Sequence, residues 1–166
     1  MTMTTQQLVL AAIATGIIAT VVLDLWVVLL HRRFKLTPTN WAVVGRWFAY
    51  MPRGQFRHQA IAQVPAVTGE LLLGWSAHYV IGVGYAVIYV FVSRWLSVPI
   101  SFASALVFGL LTLLAPWFIM QPGLGLGICA SRAPAPNRMR LQNFANHLVF
   151  ASAMYLAWEF CRPMPG

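Results

Sequence analysis

The sequence predicts an all-α integral membrane protein, a four-helix bundle with an additional interfacial amphipathic helix between its first and second spans. Composition gives the first reason: 60% of the residues are hydrophobic and 8% are charged, whereas a soluble domain is about 45–50% apolar and about 25% charged. Patterning gives the second, because the apolar residues form four runs of about 20 residues, enough to cross a hydrocarbon core of about 30 Å. We predict a single transmembrane domain over residues 1–166.

The predicted spans follow the apolar runs in chain order. They cover residues 8–30, 71–92, 100–120 and 141–160. Ionisable side chains inside them are few: Asp24 interrupts the first span, His78 the second and His147 the fourth. The first run is longer than the apolar core of a signal peptide and no Lys or Arg precedes it, so we expect it to be retained as a span.

Basic residues set the expected orientation. Nine of the eleven Lys and Arg residues fall in the two longer loops, which join the first span to the second and the third to the fourth. The remaining two are Arg94 and Arg162. Because cytoplasmic loops carry the excess of Lys and Arg in membrane proteins, we predict that the two longer loops face the cytoplasm and that both termini lie on the non-cytoplasmic side.

The first cytoplasmic loop contains a further predicted helix, at residues 40–51. Large apolar residues recur there at helical spacing. Thr39 or Asn40 can cap its start, and Pro52 with Gly54 ends it. A short apolar-faced helix beside a membrane is typical of an amphipathic helix lying in the interface.

The second cytoplasmic loop, residues 121–137, places glycine at every second position from Gly123 to Gly127. No strand precedes it and the dinucleotide-binding spacing is absent, so we exclude nucleotide binding. Two interpretations remain open. The loop either dips into the mouth of the bundle or forms a tight turn that closes the third span.

Small residues follow one face of each of the first two spans. The first span has Ala12, Gly16 and Thr20 at four-residue steps, and Asp24 continues the same row. In the second span the row consists of Gly74, His78, Gly82 and Ala86. Small residues let helix backbones approach closely in lipid, so both rows are predicted to be packing faces.

Polar residues inside the spans are the candidates for function, since ionisable groups in a bilayer are costly and are usually functional. At a rise of about 1.5 Å per residue, Asp24, His78 and His147 each lie about 9–11 Å from the cytoplasmic end of their helix. Asn143 precedes His147 by one turn, and Glu70 opens the second span. We therefore predict a buried ligand or proton site formed by these five residues.

Structural roles are the alternative. Asp24 and the two histidines can act as hydrogen-bonding glue between helices, and a carboxylate such as Glu70 is favoured in a first helical turn by the helix dipole. The carboxylate and imidazoles match metal or haem ligands in type, but no local spacing such as His-x-x-x-His supports either. No nucleophile signature favours an enzyme. We assign no metal ligands, no catalytic residues and no cofactor.

Several stretches of the chain resemble a known family. They are Gly16 to Trp26, Gly45-Arg46-Trp47, Gly69-Glu70, Gly74-Trp75, His78-Tyr79, the loop from Gln121-Pro122 to Arg132, and His147 with Phe150. Over nearly its whole length the chain resembles a bacterial family of small membrane proteins, domain of unknown function 2938. The resemblance implies four spans and a place in the bacterial inner membrane, and it carries no established activity.

Two hypotheses for function follow. In the first, an integral inner-membrane protein binds or translocates a small ligand, ion or proton through the Asp/His site. In the second, it is a structural or accessory subunit of a larger membrane complex. The basic residues are scattered between the spans rather than laid along one face, so the lipid bilayer and not nucleic acid is the expected partner. Four short helices enclose little volume, which favours a homo-oligomer or a larger complex.

Overall fold

The computed structural model describes residues 4–162, and within that range the chain is helical and contains no strand. The α-helices are α1 (Thr5–Phe34), α2 (Trp41–Tyr50), α3 (Glu70–Trp95), α4 (Phe102–Thr112), α5 (Gln121–Leu124) and α6 (Pro136–Cys161). Single 3₁₀ turns at Met51–Arg53, Ile61–Gln63 and Ile128–Ala130 lie in the connections. The all-α prediction is confirmed.

Three helical segments of the described chain are long and apolar enough to cross a membrane, and they match the first three predicted spans. They are Thr5–Phe34, Glu70–Trp95 and Phe102–Leu124. The fourth predicted span falls on α6, a helix of 26 residues that is not among them. Its first half carries Gln142, Asn143, Asn146 and His147, which lower its hydropathy, so the fourth span and the four-helix bundle remain predictions.

Side-chain caps and left-handed residues account for the helix ends. Thr4 and Gln7 form a reciprocal capping box at the start of α1, and Lys35, with φ of 54°, closes its other end. Asn40 accepts a hydrogen bond from the Val43 amide and caps α2, so of the two predicted caps Asn40 is the one used. The chain leaves α2 through the predicted Pro52 and through Gly54, which has φ of 75°.

The third apolar segment is not one regular helix. It begins as α4, passes through a π-helical stretch at Pro116–Met120 and continues into α5. Proline has no backbone N–H to donate to the preceding turn, and π-helical turns, although rare, occur mostly as interruptions inside α-helices. The segment therefore reaches Leu124, four residues beyond the predicted end at residue 120.

The chain divides into two compact units. The first contains the residues up to Leu36, Tyr79–Leu111 and the residues from Asn146 onward. Its core contains buried side chains from α1, α3, α4 and α6, including Ala12, Ala86, Ala105 and Met154, each fully buried.

Within this first unit the predicted small-residue faces are packed against each other. A Cβ atom added to Gly16 would lie 2.5 Å from Val83 Cα, and one added to Gly82 would collide with the hydroxyl of Thr20. Thr20 is fully buried and donates to the carbonyl oxygen of Gly16 at 2.8 Å. The packing prediction for α1 and α3 is confirmed at these positions.

The second unit comprises Thr37–His78 and Thr112–Ala145. Its core consists of Val44, Trp47, Ile61 and Leu124. The Trp47 indole donates to the carbonyl oxygen of Phe56 at 2.9 Å.

Two glycines allow α2 to pack directly on the first turns of α3. A Cβ on Gly45 would collide with the carbonyl oxygen of Glu70, and a Cβ on Gly74 would collide with that of Trp41. Every residue of α2 is buried or half-buried, so no residue of this helix is fully exposed. The predicted helix at residues 40–51 is thus present, while its amphipathic character and interfacial position are not shown.

Candidate functional site

Asp24 has a partner on another helix of the first unit. The side chain is half-buried and lies within the apolar helix α1. The phenolic hydroxyl of Tyr79, in α3, donates a hydrogen bond to Asp24 Oδ2 at 2.9 Å. A hydrogen bond to a charged acceptor is stronger than one between neutral groups, so the pair joins two helices at a position where charge is costly.

Two further polar contacts lie in the same unit. The indole Nε1 of Trp26 donates to Asn146 Oδ1 at 3.2 Å, which joins α1 to α6. The imidazole of His147 is hydrogen bonded to the backbone of Gly109. A Cβ at Gly109 would lie 3.1 Å from the His147 carbonyl oxygen, so the absence of a side chain lets α4 and α6 approach here.

His78 belongs to an aromatic cluster in the second unit. Its ring stacks on Trp41 with 4.2 Å between centroids and 29° between planes. Trp75 meets the His78 ring edge-on at 5.8 Å and lies 5.5 Å from Trp41. The cluster packs α2 against α3, which gives the histidine a structural role in the second unit.

Glu70 forms a bidentate ion pair with Arg46. Arg46 Nε and Nη2 donate to the two carboxylate oxygens of Glu70, each at 2.8 Å, and the amide of Val67 donates to Glu70 Oε2 at 2.9 Å. Both charged side chains are largely covered, with 12% and 14% of their surfaces exposed. The hydrogen bonds to Glu70 raise the pKa of the Arg46 guanidinium, which keeps it cationic.

The remaining nitrogen of Arg46 binds the connection between α2 and α3. Nη1 donates to the carbonyl oxygens of Ile61, Ala62 and Val64, the shortest bond being 2.7 Å to Val64. One side chain therefore fastens α2, the turn at residues 61–64 and the start of α3.

Comparison with known protein families identifies the family of this chain. The family described as "Protein of unknown function (DUF2938)" matches residues 13–160, most of the chain. The chain belongs to this family. No curated protein and no solved structure matches it significantly.

The region matched to DUF2938 contains all five predicted site residues, and the structure places them in different surroundings. Asp24 and His147 lie in the first unit, and His78, Glu70 and Asn143 in the second. The site was predicted to be buried, but Asp24, His78, His147 and Asn143 are all half-buried. Among residues 4–162 no group of three His, Cys, Asp or Glu side chains is arranged to hold a metal. A single buried Asp/His site is therefore not shown.

Sequence reasoning missed two residues of this DUF2938 chain. Tyr79 follows His78 within an apolar run and is not predicted as a site residue, but its hydroxyl donates a hydrogen bond to Asp24. Arg46 is predicted as a basic loop residue and as part of a family-like stretch, but not as the partner of Glu70. A signal for the pair exists in the composition, because the chain has only three acidic residues and a carboxylate beside a basic loop favours a nearby cation as its partner.

Proposed function

We propose that this DUF2938 protein is an integral protein of the bacterial inner membrane with four spans and both termini on the non-cytoplasmic side. Three apolar helical segments support the proposal, and so does the gathering of nine of eleven basic residues in two loops. The fourth span would be α6, whose 26 residues measure about 39 Å at 1.5 Å per residue.

Its proposed function is to bind or translocate a proton, a small cation or a small polar ligand at Asp24. The observation that carries this proposal is a carboxylate inside an apolar helix, half-buried and hydrogen bonded by Tyr79. A carboxylate at the centre of a spanning helix costs about 2.5–3.5 kcal/mol on insertion scales. Uptake of a proton or pairing with a cation removes that cost, so the carboxylate is suited to exchange.

The other four predicted site residues differ in whether their surroundings favour a place in the site or a structural role. His147 lies in the same unit as Asp24 and carries a second exchangeable group, with Asn143 one turn away on α6. His78 belongs to the second unit, where its ring stacks on Trp41, so it fits a structural role better. Glu70 fits a structural role better, because its carboxylate is already paired with Arg46.

A second candidate is a structural or accessory subunit of a larger membrane complex, with the polar residues acting as helix glue. The contacts that favour it are Tyr79 with Asp24 and Trp26 with Asn146, each of which ties α1 to another helix. Such bonds hold helices together in lipid at about 1 kcal/mol each.

Reconstituted vesicles separate the two candidates. Purified protein is placed in liposomes that contain a pH-sensitive dye, and proton entry is followed under an imposed potential, with sodium uptake measured in parallel. If Asp24 is a site, Asp24→Asn abolishes the flux while the melting temperature in detergent stays near that of the unmodified protein. If Asp24 is glue, Asp24→Asn lowers the melting temperature and the unmodified protein shows no flux of either ion.

The matched control for charge loss is Glu159→Gln. Glu159 pairs with the exposed Arg162 near the end of α6 at 2.6 Å. We expect this variant to keep both the flux and the melting temperature. An equal loss of flux in Asp24→Asn and Glu159→Gln would count against the Asp24 site.

A further inference from the structure

An open cavity lies in the second unit between the two basic loops. Its volume is about 460 Å³, within the range of about 300–1,000 Å³ that small-molecule sites occupy. Arg57, His58 and Gln59 line it from the first loop, and Ser131 and Arg132 from the second. No carboxylate is among the described side chains that line it, so its polar surface is cationic.

Direct backbone contacts hold the two loops together around the cavity. The His58 amide donates to the carbonyl oxygen of Gly123 at 3.0 Å. Gly125 has φ of 91°, and a Cβ there would collide with the carbonyl oxygen of Gln59. Glycine at 125 is thus required both by the backbone angle and by the close approach. Packing against the first cytoplasmic loop accounts for Gly123, where a Cβ would meet Trp47, and for Gly125, whereas a Cβ at Gly127 would meet Ser131 of its own loop.

Polar groups in the cavity wall remain available to a ligand. The Nε2 atom of His58 is buried and has no hydrogen-bond partner within residues 4–162. The side chains of Arg57, Ser131 and Arg132 are exposed. Buried polar atoms are normally hydrogen bonded, so His58 Nε2 is unusual, but the polar groups that a ligand in the cavity can reach are those of the exposed Arg57, Ser131 and Arg132.

We propose that this cavity binds a phosphate group, in the form of an anionic phospholipid headgroup or a free phosphate. Arginine presents a planar fork of donors that matches phosphate oxygens, and two arginines can neutralise a phosphate from two sides. The hydroxyl of the exposed Ser131 supplies a further donor. The apolar side chain of Ile128, which lines the cavity, is 53% exposed, and it would contact the acyl part of a lipid.

Titration of the full-length protein in neutral detergent tests the proposal. Short-chain phosphatidylglycerol, short-chain phosphatidylcholine and inorganic phosphate are added separately, and binding is followed by thermal stability and native mass spectrometry. Binding of phosphatidylglycerol and phosphate identifies a general phosphate site. Binding of phosphatidylglycerol alone identifies a lipid headgroup site, and binding of phosphate alone a soluble anion site. Binding of none of the three, or equal binding of the zwitterionic and anionic lipids, overturns the proposal.

Two variants and a control locate the site. We expect Arg57→Gln and Arg132→Gln each to weaken binding about tenfold or more, as loss of a charged hydrogen bond implies. Both side chains are exposed, so the melting temperature without ligand should stay unchanged. Arg53→Gln removes the same charge from the first loop but outside the cavity, where Arg53 stacks on Tyr50 at 4.9 Å. An equal loss in Arg53→Gln means that the loops attract anions without a site, and the proposal then fails.

Discussion

Arg46 and Glu70, separated by 24 residues in the sequence, meet through two parallel hydrogen bonds of 2.8 Å. The same guanidinium binds three backbone carbonyl oxygens in the connection between them. The pair therefore fixes a loop that carries no regular secondary structure of its own apart from short helical turns. An exposed pair would contribute little to stability, but these two side chains are 12% and 14% exposed, and removal of either would leave the other charge without its partner.

The first prediction concerns this pair. Glu70→Gln leaves the covered guanidinium of Arg46 without a counter-charge, and Arg46→Gln leaves the carboxylate in the same state, so both are expected to lower the melting temperature in detergent. Arg46→Lys keeps the positive charge but loses the two parallel N–H donors of the guanidinium, so we expect a smaller fall in melting temperature. Glu159→Gln is the control, because Glu159 and its partner Arg162 are more exposed, at 32% and 50% of their side-chain surfaces. If all four variants had the same melting temperature as the unmodified protein, the pair would have no structural role.

The second prediction concerns the glycine contacts of α1 and α3. Gly16→Leu and Gly82→Leu place a side chain where a Cβ already meets Val83 or Thr20, and overpacking costs about 1–3 kcal/mol. Gly84→Leu on the same helix is the control, because nothing lies within 4 Å of a Cβ there. We expect the first two variants to unfold at lower denaturant concentration than Gly84→Leu. Equal stability of all three would contradict the close approach of α1 and α3.

The positions of the helices could be predicted from the sequence because apolar run length, caps and glycine act locally. Asn40, Gly54 and the start of α3 at Glu70 follow directly from such signals. Helix α6 shows the limit of this reasoning. It is long enough to cross a membrane, but the amides and the histidine of its first half lower its hydropathy. Composition does not reveal whether protein or lipid surrounds those side chains.

The candidate site was harder to predict than the fold. Rise per residue gives the depth of Asp24 but not the rotation of its helix or the identity of the neighbour that it contacts. Tyr79 differs from Phe by one hydroxyl and counts as apolar in a sequence pattern, yet that hydroxyl binds the carboxylate. Likewise, the stacking of His78 on Trp41 depends on how α2 meets α3, which no spacing within either helix encodes.

The third prediction concerns topology. In a protein with Cys129 and Cys161 replaced by alanine, cysteine introduced at the exposed position Gln55 should react only with reagent on the cytoplasmic face, and cysteine at the exposed position Ser97 only with reagent outside. The reason is the excess of basic residues in the two longer loops. Impermeant maleimide added to intact cells and to inverted vesicles measures both. Reversed labelling would contradict the orientation and place the phosphate cavity on the outer face.

The last prediction separates the direct partner of Asp24 from its predicted neighbours. In a double-mutant cycle, Asp24→Asn and Tyr79→Phe should be non-additive, because each removes the same 2.9 Å hydrogen bond. The coupling energy is expected to be about 0.5–2 kcal/mol, the size measured for contacting residues and for hydrogen bonds between helices in lipid. Equilibrium unfolding in mixed micelles gives the four free energies. Asp24→Asn combined with Tyr155→Phe is the control cycle and should be additive, since Tyr155 packs edge-on against Phe102 at 5.8 Å. A third cycle combines Asp24→Asn with His147→Ala: coupling there supports a polar site that includes His147, whereas additivity confines the site to Asp24 and Tyr79.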